Sequence, residues 1–164
     1  METDKVGLHA DDVNIYDLVM ELAEKRYPLT GDRRVEITIE DRALTLKVDR
    51  ALLFMILAQY IDNAQKYSTP GTAVEVAVSV GHNEAIFSVH NFGPTIRIED
   101  RERVFDRFFR STDLRESVPG TGIGLSVVRK AAQAHHGHVW VISDDREGTT
   151  FFLSMPIASR GKMR

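Results

Sequence analysis

The sequence predicts an α/β (α+β) two-layer sandwich, a mixed sheet of about five strands with three helices on one face. Two observations lead to this prediction. Three segments carry apolar residues at helical spacing, and the segments between them alternate apolar and polar residues as half-buried strands do. The 164 residues are enough for one domain with a sizeable core, and the sequence has no internal repeat or low-complexity stretch.

The first half of the chain is predicted to contain two helices and three strands. Apolar residues recur at helical spacing over residues 14–26, which predicts the first helix. Asp49 is a suitable N-cap for the second helix, which ends at the breaker segment that begins with Ser68. Alternating apolar residues predict three strands, over residues 35–39, 44–48 and 74–80.

The second half is predicted to add three strands and one helix. A strand over residues 85–90 is followed by residues 91–119, which hold little regular structure beyond a short helix near residues 100–109. A long loop inside a compact domain is usually functional or disordered. The remaining elements are an amphipathic helix and a closing hairpin, over residues 125–137, 139–143 and 149–155.

Composition and charge exclude several classes of function. The net charge of −3 gives no sign of a nucleic-acid partner. The absence of cysteine excludes disulfides, thiolate metal sites and cysteine nucleophiles. No apolar run approaches the ~20 residues that span a bilayer, so we expect no direct membrane contact. Residues 1–12 are expected to be flexible, and residues 159–164 to form a basic tail.

The second helix carries polar residues where an apolar stripe should continue. Gln59, Asn63 and Lys66 share one helix face beside the apolar face. A half-buried asparagine costs about 1–3 kcal/mol if its amide has no partner. The Asn63 oxygen would suit Mg²⁺, and Lys66 could offset phosphate charge. The alternatives are an asparagine bonded to a neighbouring loop and a solvated lysine.

A glycine-rich segment directly precedes the third helix. The run Gly120-Thr121-Gly122-Ile123-Gly124-Leu125 could hold phosphate, because glycines allow close backbone approach and a helix N-terminus offers free N–H groups. Its spacing matches neither the dinucleotide fingerprint nor the Walker loop. The alternative is a flexible connector that also caps the helix.

Two further groups of residues complete the candidate site. Asn91 follows a strand and could hydrogen-bond a base edge, although Asn-Phe-Gly-Pro is also an ordinary turn sequence. Phe105 and Phe108, spaced at i and i+3, could anchor a mobile lid or simply pack a short amphipathic helix.

The order of these segments resembles the catalytic ATP-binding domain of sensor histidine kinases, a member of the Bergerat-type ATPase superfamily. Five segments carry the resemblance in the family's order: residues 59–68 (N box), 89–96 (first glycine box), 104–110 (F box), 120–126 (second glycine box) and 147–156 (closing strand motif). The resemblance spans nearly the whole chain and predicts a catalytic domain over residues 13–158.

The resemblance implies a role for each matched residue. Asn63 would coordinate Mg²⁺ and form the catalytic set with Gln59 and Lys66, of which Lys66 would contact phosphate. Tyr67 would line the ribose side, and Asn91 would meet the adenine amino group. The other ATP-binding residues implied are Gly93, Ile96, Phe105, Phe108, Arg110, Gly120, Thr121, Gly122, Ile123, Gly124, Leu125, and Thr149 or Thr150. Residues 97–119 would be the ATP lid, held by its phenylalanines.

The activity implied is transfer of the γ-phosphoryl of Mg-ATP to a histidine on a dimerisation domain absent from this chain, with a response regulator downstream. The location implied is the cytoplasm, as a free protein or as part of a membrane-bound sensor. Three positions depart from the family pattern: Gln59 replaces Asn, Asn91 replaces Asp, and Thr95 replaces Gly.

These departures motivate two alternative functions. One is a degenerate nucleotide-binding pseudokinase module that acts through protein contacts. The other is an autonomous ATPase or a serine kinase of the anti-sigma type. The absence of Glu at position 59 disfavours an ATPase, because no carboxylate is available there to activate water.

Overall fold

The computed structural model describes residues 8–106 and 123–157. Within these ranges the chain forms three α-helices and seven strands. In chain order they are β1 (Ala10–Asn14), α1 (Ile15–Arg26), β2 (Val35–Ile39), β3 (Thr45–Asp49), α2 (Arg50–Tyr67), β4 (Val74–Gly81), β5 (Glu84–Asn91), α3 (Ile123–Ala134), β6 (His138–Asp144) and β7 (Gly148–Pro156).

Five strands form the main sheet in the order β2-β4-β5-β7-β6. Strands β2 and β4 are parallel, and the other neighbours are antiparallel, so the sheet is mixed as predicted. Alternate residues across three strands share one buried face, because Val76 lies opposite Val89 and Val89 lies opposite Phe151. The α/β sandwich and its five-stranded sheet are confirmed.

Helix α2 is fixed to this face by a buried tyrosine. The Tyr60 ring packs against Phe151 with centroids 5.4 Å apart, and its hydroxyl donates a hydrogen bond to the Phe152 carbonyl at 2.7 Å. Burial raises the pKa of Tyr60 above its ordinary value. The helix that carries the polar row therefore has one fixed orientation over the sheet.

The start of the chain differs from the expectation of a flexible segment over residues 1–12. Residues Ala10–Asp12 belong to β1, which pairs antiparallel with β3 in a separate two-stranded sheet. Backbone pairing with β3 satisfies the N–H and C=O groups of these residues and orders them. The predicted strands over 35–39 and 44–48 both exist, but they lie in different sheets.

The predicted cap of α2 is present and links three parts of the chain. The Asp49 side chain accepts hydrogen bonds from the backbone N–H groups of Leu52 (3.2 Å) and His9 (3.0 Å). Its own N–H donates to His135 Nε2 at 3.0 Å. Burial acts to raise the pKa of Asp49, but the amides of His9 and Leu52 outweigh it and hold the pKa below its ordinary value.

The short helix predicted near residues 100–109 is not a single α-helix. The described part of this segment contains two 3₁₀ turns, Ile98–Asp100 and Arg103–Phe105, because its hydrogen bonds span three residues instead of four. Residues 107–109 lie outside the described ranges. In the described part of the chain, no helix is both long and apolar enough to cross a bilayer.

Candidate functional site

The polar face of α2 meets the first turn of α3 at Gln59. A Cβ atom added to Gly124 would overlap the side-chain oxygen of Gln59, so the backbone of α3 lies directly against this amide. A larger residue at position 124 would displace either Gln59 or the helix start. The structure therefore brings the N-terminal turn of α3 next to the N-box face, as a phosphate site requires.

Asn63 and Lys66 lie further along the same helix. The Asn63 side chain is half-buried and makes no hydrogen bond to any residue that the structure describes. Lys66 is exposed, and its ammonium has no ion pair within the described ranges. By contrast, the neighbouring Asp62 carboxylate accepts a hydrogen bond from Tyr27 Oη at 2.8 Å. Asn63 lies one turn along α2 from Gln59, and an amide oxygen without a hydrogen-bond partner is a suitable ligand for Mg²⁺.

The chain after β5 packs closely on the end of α2. A Cβ on Gly93 would overlap the Tyr67 backbone carbonyl and lie 3.1 Å from Asn91 Nδ2. The Thr69 N–H donates to the Phe92 carbonyl at 2.8 Å. Glycine at position 93 is therefore required by close backbone approach, and the first glycine box lies beside the N box.

Asn91 is 3% exposed at the end of β5. Its Nδ2 donates to the Phe92 carbonyl at 3.1 Å, and its Oδ1 accepts no hydrogen bond from the described residues. This arrangement leaves an acceptor oxygen, which is the atom that an adenine amino group would need.

The register of β7 separates the two candidate threonines. Thr149 lies opposite Asn91 and is buried, whereas Thr150 lies opposite His90 and is half-buried. Successive residues of a strand point to opposite faces of a sheet. Thr149 is therefore on the same face as Asn91, and Thr150 is not.

Ile96 is held by two residues that the sequence reasoning missed. Its N–H donates to Ser143 Oγ at 2.9 Å, and its carbonyl accepts from Arg101 Nε at 3.0 Å. Ser143 occupies a buried position in line with Val141 on β6. A serine at an apolar position of an alternating strand was the only signal in the sequence.

Phe105 is buried against α3 and β7. Its ring meets Phe151 edge-on with centroids 5.9 Å apart, and the Arg129 guanidinium lies 5.3 Å from its centroid. Arg129 Nη2 also donates to the Glu102 carbonyl at 2.9 Å. Leu125 packs at the edge of the core. The remaining predicted residues lie outside the described ranges: Phe108, Arg110, Gly120, Thr121, Gly122 and the side chain of Ile123.

The fold and these contacts define an ATPase-type domain in which an N-box helix faces a glycine-box helix. The family described as "Histidine kinase-, DNA gyrase B-, and HSP90-like ATPase" matches residues 48–159. The chain belongs to this family.

Individual relatives are sensor kinases. Sensor histidine kinase WalK of Bacillus subtilis is 34% identical over 142 residues, which cover 84% of this chain and 23% of WalK. Mycobacterial sensor histidine kinase MprB has a similar structure, with a TM-score of 0.77 and 26% identity over 90% of this chain and 97% of that structure. Full-length ShkA in complex with AMPPNP has a TM-score of 0.79 and 26% identity over 93% of this chain and 32% of ShkA.

The chain spans only part of its curated relatives. It covers 23% of WalK and 34% of the kinase ArlS from Staphylococcus haemolyticus. The similarity therefore concerns one domain of longer proteins.

Proposed function

We propose that this chain is the ATP-binding catalytic domain of a two-component sensor histidine kinase. It would transfer the γ-phosphoryl of Mg-ATP to a histidine on a separate dimerisation domain, and a response regulator would act downstream in the cytoplasm. The main support is the meeting of Gln59 with Gly124, which sets the amide row of α2 against the glycine-box helix. The complex of ShkA with AMPPNP supports an adenine nucleotide as the ligand.

The residues of the site suggest how the nucleotide would be held. The Oδ1 atom of Asn91 would accept from the adenine amino group, with Thr149 and Ile96 beside it. Tyr67 would line the ribose side. The first turn of α3 and the Lys66 ammonium would offset phosphate charge. Asn63 would hold Mg²⁺, which supplies charge neutralisation between the phosphate groups when bound.

The chemistry of position 59 favours transfer over hydrolysis. Gln59 has a neutral amide, which cannot take a proton from water as a glutamate can. The isolated domain should therefore bind nucleotide and hydrolyse it slowly. The compared relatives give no support to the pseudokinase alternative.

Calorimetric titration and phosphoryl transfer test this proposal. We expect the native chain to bind Mg·AMPPNP and to phosphorylate a supplied dimerisation domain of the parent kinase. Asn63→Ala should weaken binding about ten-fold, since a metal ligand is lost. Gln133→Ala, an exposed amide on α3, serves as the matched control and should bind like the native chain. No binding by the native chain, or native affinity in Asn63→Ala, would refute the proposal.

A further inference from the structure

We propose that Arg101 is a positioning residue that fastens the lid stem, residues 95–106, to the end of β6 and so keeps the base pocket in shape. This inference rests on the proposed function, because it assigns Arg101 to the wall of the nucleotide site. The resemblance to sensor kinases assigned no role to Arg101 or Ser143.

The Arg101 guanidinium joins two backbone carbonyls from different parts of the chain. Its Nε donates to the Ile96 carbonyl at 3.0 Å, and its Nη2 donates to the Ser143 carbonyl at 2.6 Å. Both bonds are charge-assisted, and the planar guanidinium holds its two donors in a fixed geometry. Arg101 therefore fixes the distance between the lid stem and β6.

The Ser143 side chain binds the other backbone polar group of Ile96, its N–H. It is 3% exposed, and its Oγ accepts the Ile96 N–H at 2.9 Å. The same oxygen lies 2.6 Å from Thr149 Oγ1, where one hydroxyl donates to the other. Both backbone polar groups of Ile96 are thus satisfied by this cluster, which we call the stem latch: Ile96, Arg101, Ser143 and Thr149.

The stem latch reaches the candidate base contact directly. Thr149 lies opposite Asn91 in the β5–β7 register, and both residues are buried. A second and exposed bond between Thr95 Oγ1 and Asp145 Oδ1, 2.5 Å long, fastens the stem one residue earlier. A displaced Ile96 would therefore change the wall on which the base rests.

Arg97, a neighbouring arginine, pairs only with residues of the lid stem among those that the structure describes. Arg97 is half exposed and lies 3.4 Å from Glu99 and 3.5 Å from Asp100, within the stem itself. Removing Arg101 would instead leave the carbonyls of Ile96 and Ser143 without their donor, and unpaired polar groups are costly when buried. The expected result is a looser stem and weaker binding of the base.

Two measurements test the stem latch, and the first needs no nucleotide. Amide hydrogen exchange followed by NMR reports how firmly the Ile96 N–H is held in the ligand-free chain. Titration calorimetry with Mg·ADP reports the effect on the site. In Arg101→Ala we expect Ile96 to exchange about ten-fold faster and the Kd for Mg·ADP to rise about ten-fold, as the loss of charged hydrogen bonds predicts.

Two further variants make the result specific. Arg101→Lys keeps the positive charge, but a single ammonium cannot reproduce the two fixed donors of the guanidinium. We therefore expect a rise in Kd of about three-fold. Arg146→Ala removes an exposed arginine on the β6–β7 turn whose side chain has no hydrogen bond to the described residues, and both readouts should stay native. If Arg101→Ala does not fold, the exchange of Ile96 and the Kd for Mg·ADP are measured in Arg101→Lys instead.

The outcomes separate the two proposals. Native exchange at Ile96 and native Kd in a folded Arg101 variant, or an equal effect in Arg146→Ala, would overturn the stem latch. Failure of the native chain to bind Mg·ADP would overturn the proposed function, while the exchange of Ile96 would still decide whether Arg101 fastens the stem.

Discussion

The backbone of Gly124 lies directly against the side-chain oxygen of Gln59, with no side chain between them. This contact joins the polar face of α2 to the first turn of α3. Gln59 stands where the resemblance leads us to expect asparagine, and the end of its side chain is the part that lies against the helix backbone. The pair therefore determines how the polar face of α2 meets the start of α3, where the proposed phosphate contacts would lie.

A methyl group at position 124 should damage this contact. In Gly124→Ala the new Cβ would overlap the amide oxygen of Gln59, which ends a flexible side chain and can turn aside, so we expect the Kd for Mg·ADP to rise only about three-fold. Gln59→Ala in the same chain removes the clash and should recover most of the loss. Gly81→Ala is the matched control, because a Cβ there would meet nothing within 4 Å. An additive double mutant, with no recovery, would contradict this account.

A second prediction concerns the end of α3. His136 has a φ of 62°, in the left-handed region that disfavours residues with a Cβ. His136→Gly should therefore raise the free energy of unfolding by about 0.5–1 kcal/mol, measured by urea denaturation. Asn83 has the same φ, but asparagine tolerates this region, so Asn83→Gly should gain less. A loss of stability in His136→Gly would contradict this prediction, because the relief of backbone strain would then be smaller than the entropy that glycine adds to the unfolded chain.

The third prediction concerns acid. The pKa of Asp49 is lowered in the folded chain from a value of 3.8, so its contribution to stability is present above this pH and is lost as pH falls through the folded pKa. Urea denaturation between about pH 6 and pH 3 should show a smaller loss of stability for Asp49→Asn than for the native chain. The asparagine keeps an acceptor for the Leu52 N–H, so the helix cap is retained in the variant. A similar pH dependence of stability in both chains would show that Asp49 does not cause it.

The fourth prediction tests the amide of Asn91. In Asn91→Asp the donor to the Phe92 carbonyl is lost and a buried carboxylate faces that oxygen, so the free energy of unfolding should fall by about 1–3 kcal/mol at neutral pH. Acidification should recover part of the loss relative to the native chain, because a protonated carboxyl can donate again. Unchanged stability at neutral pH would mean that the Phe92 bond contributes little.

Local patterns predicted most of the elements, and long-range contacts explain what they missed. Apolar spacing located α1, and the Asp49 cap located the start of α2, because both signals lie within a few residues. No local signal assigns β3 to β1 rather than to β2, since strand pairing is decided by packing. The Arg101–Ser143 bond likewise joins residues 42 positions apart, and the serine at an apolar position of β6 does not indicate which residue it meets.

The bond between Asp49 and His135 has a mechanical consequence. Helices α2 and α3 touch near the site at Gln59 and Gly124, and they are tied again at their far ends by the Asp49 N–H and the His135 ring. The two helices are therefore in contact at both ends of α3. A shift of α3 along its axis would change the distance from His135 to Asp49, whose carboxylate also accepts the His9 N–H. The end of α3 is therefore linked, through His135 and Asp49, to the residue that precedes strand β1.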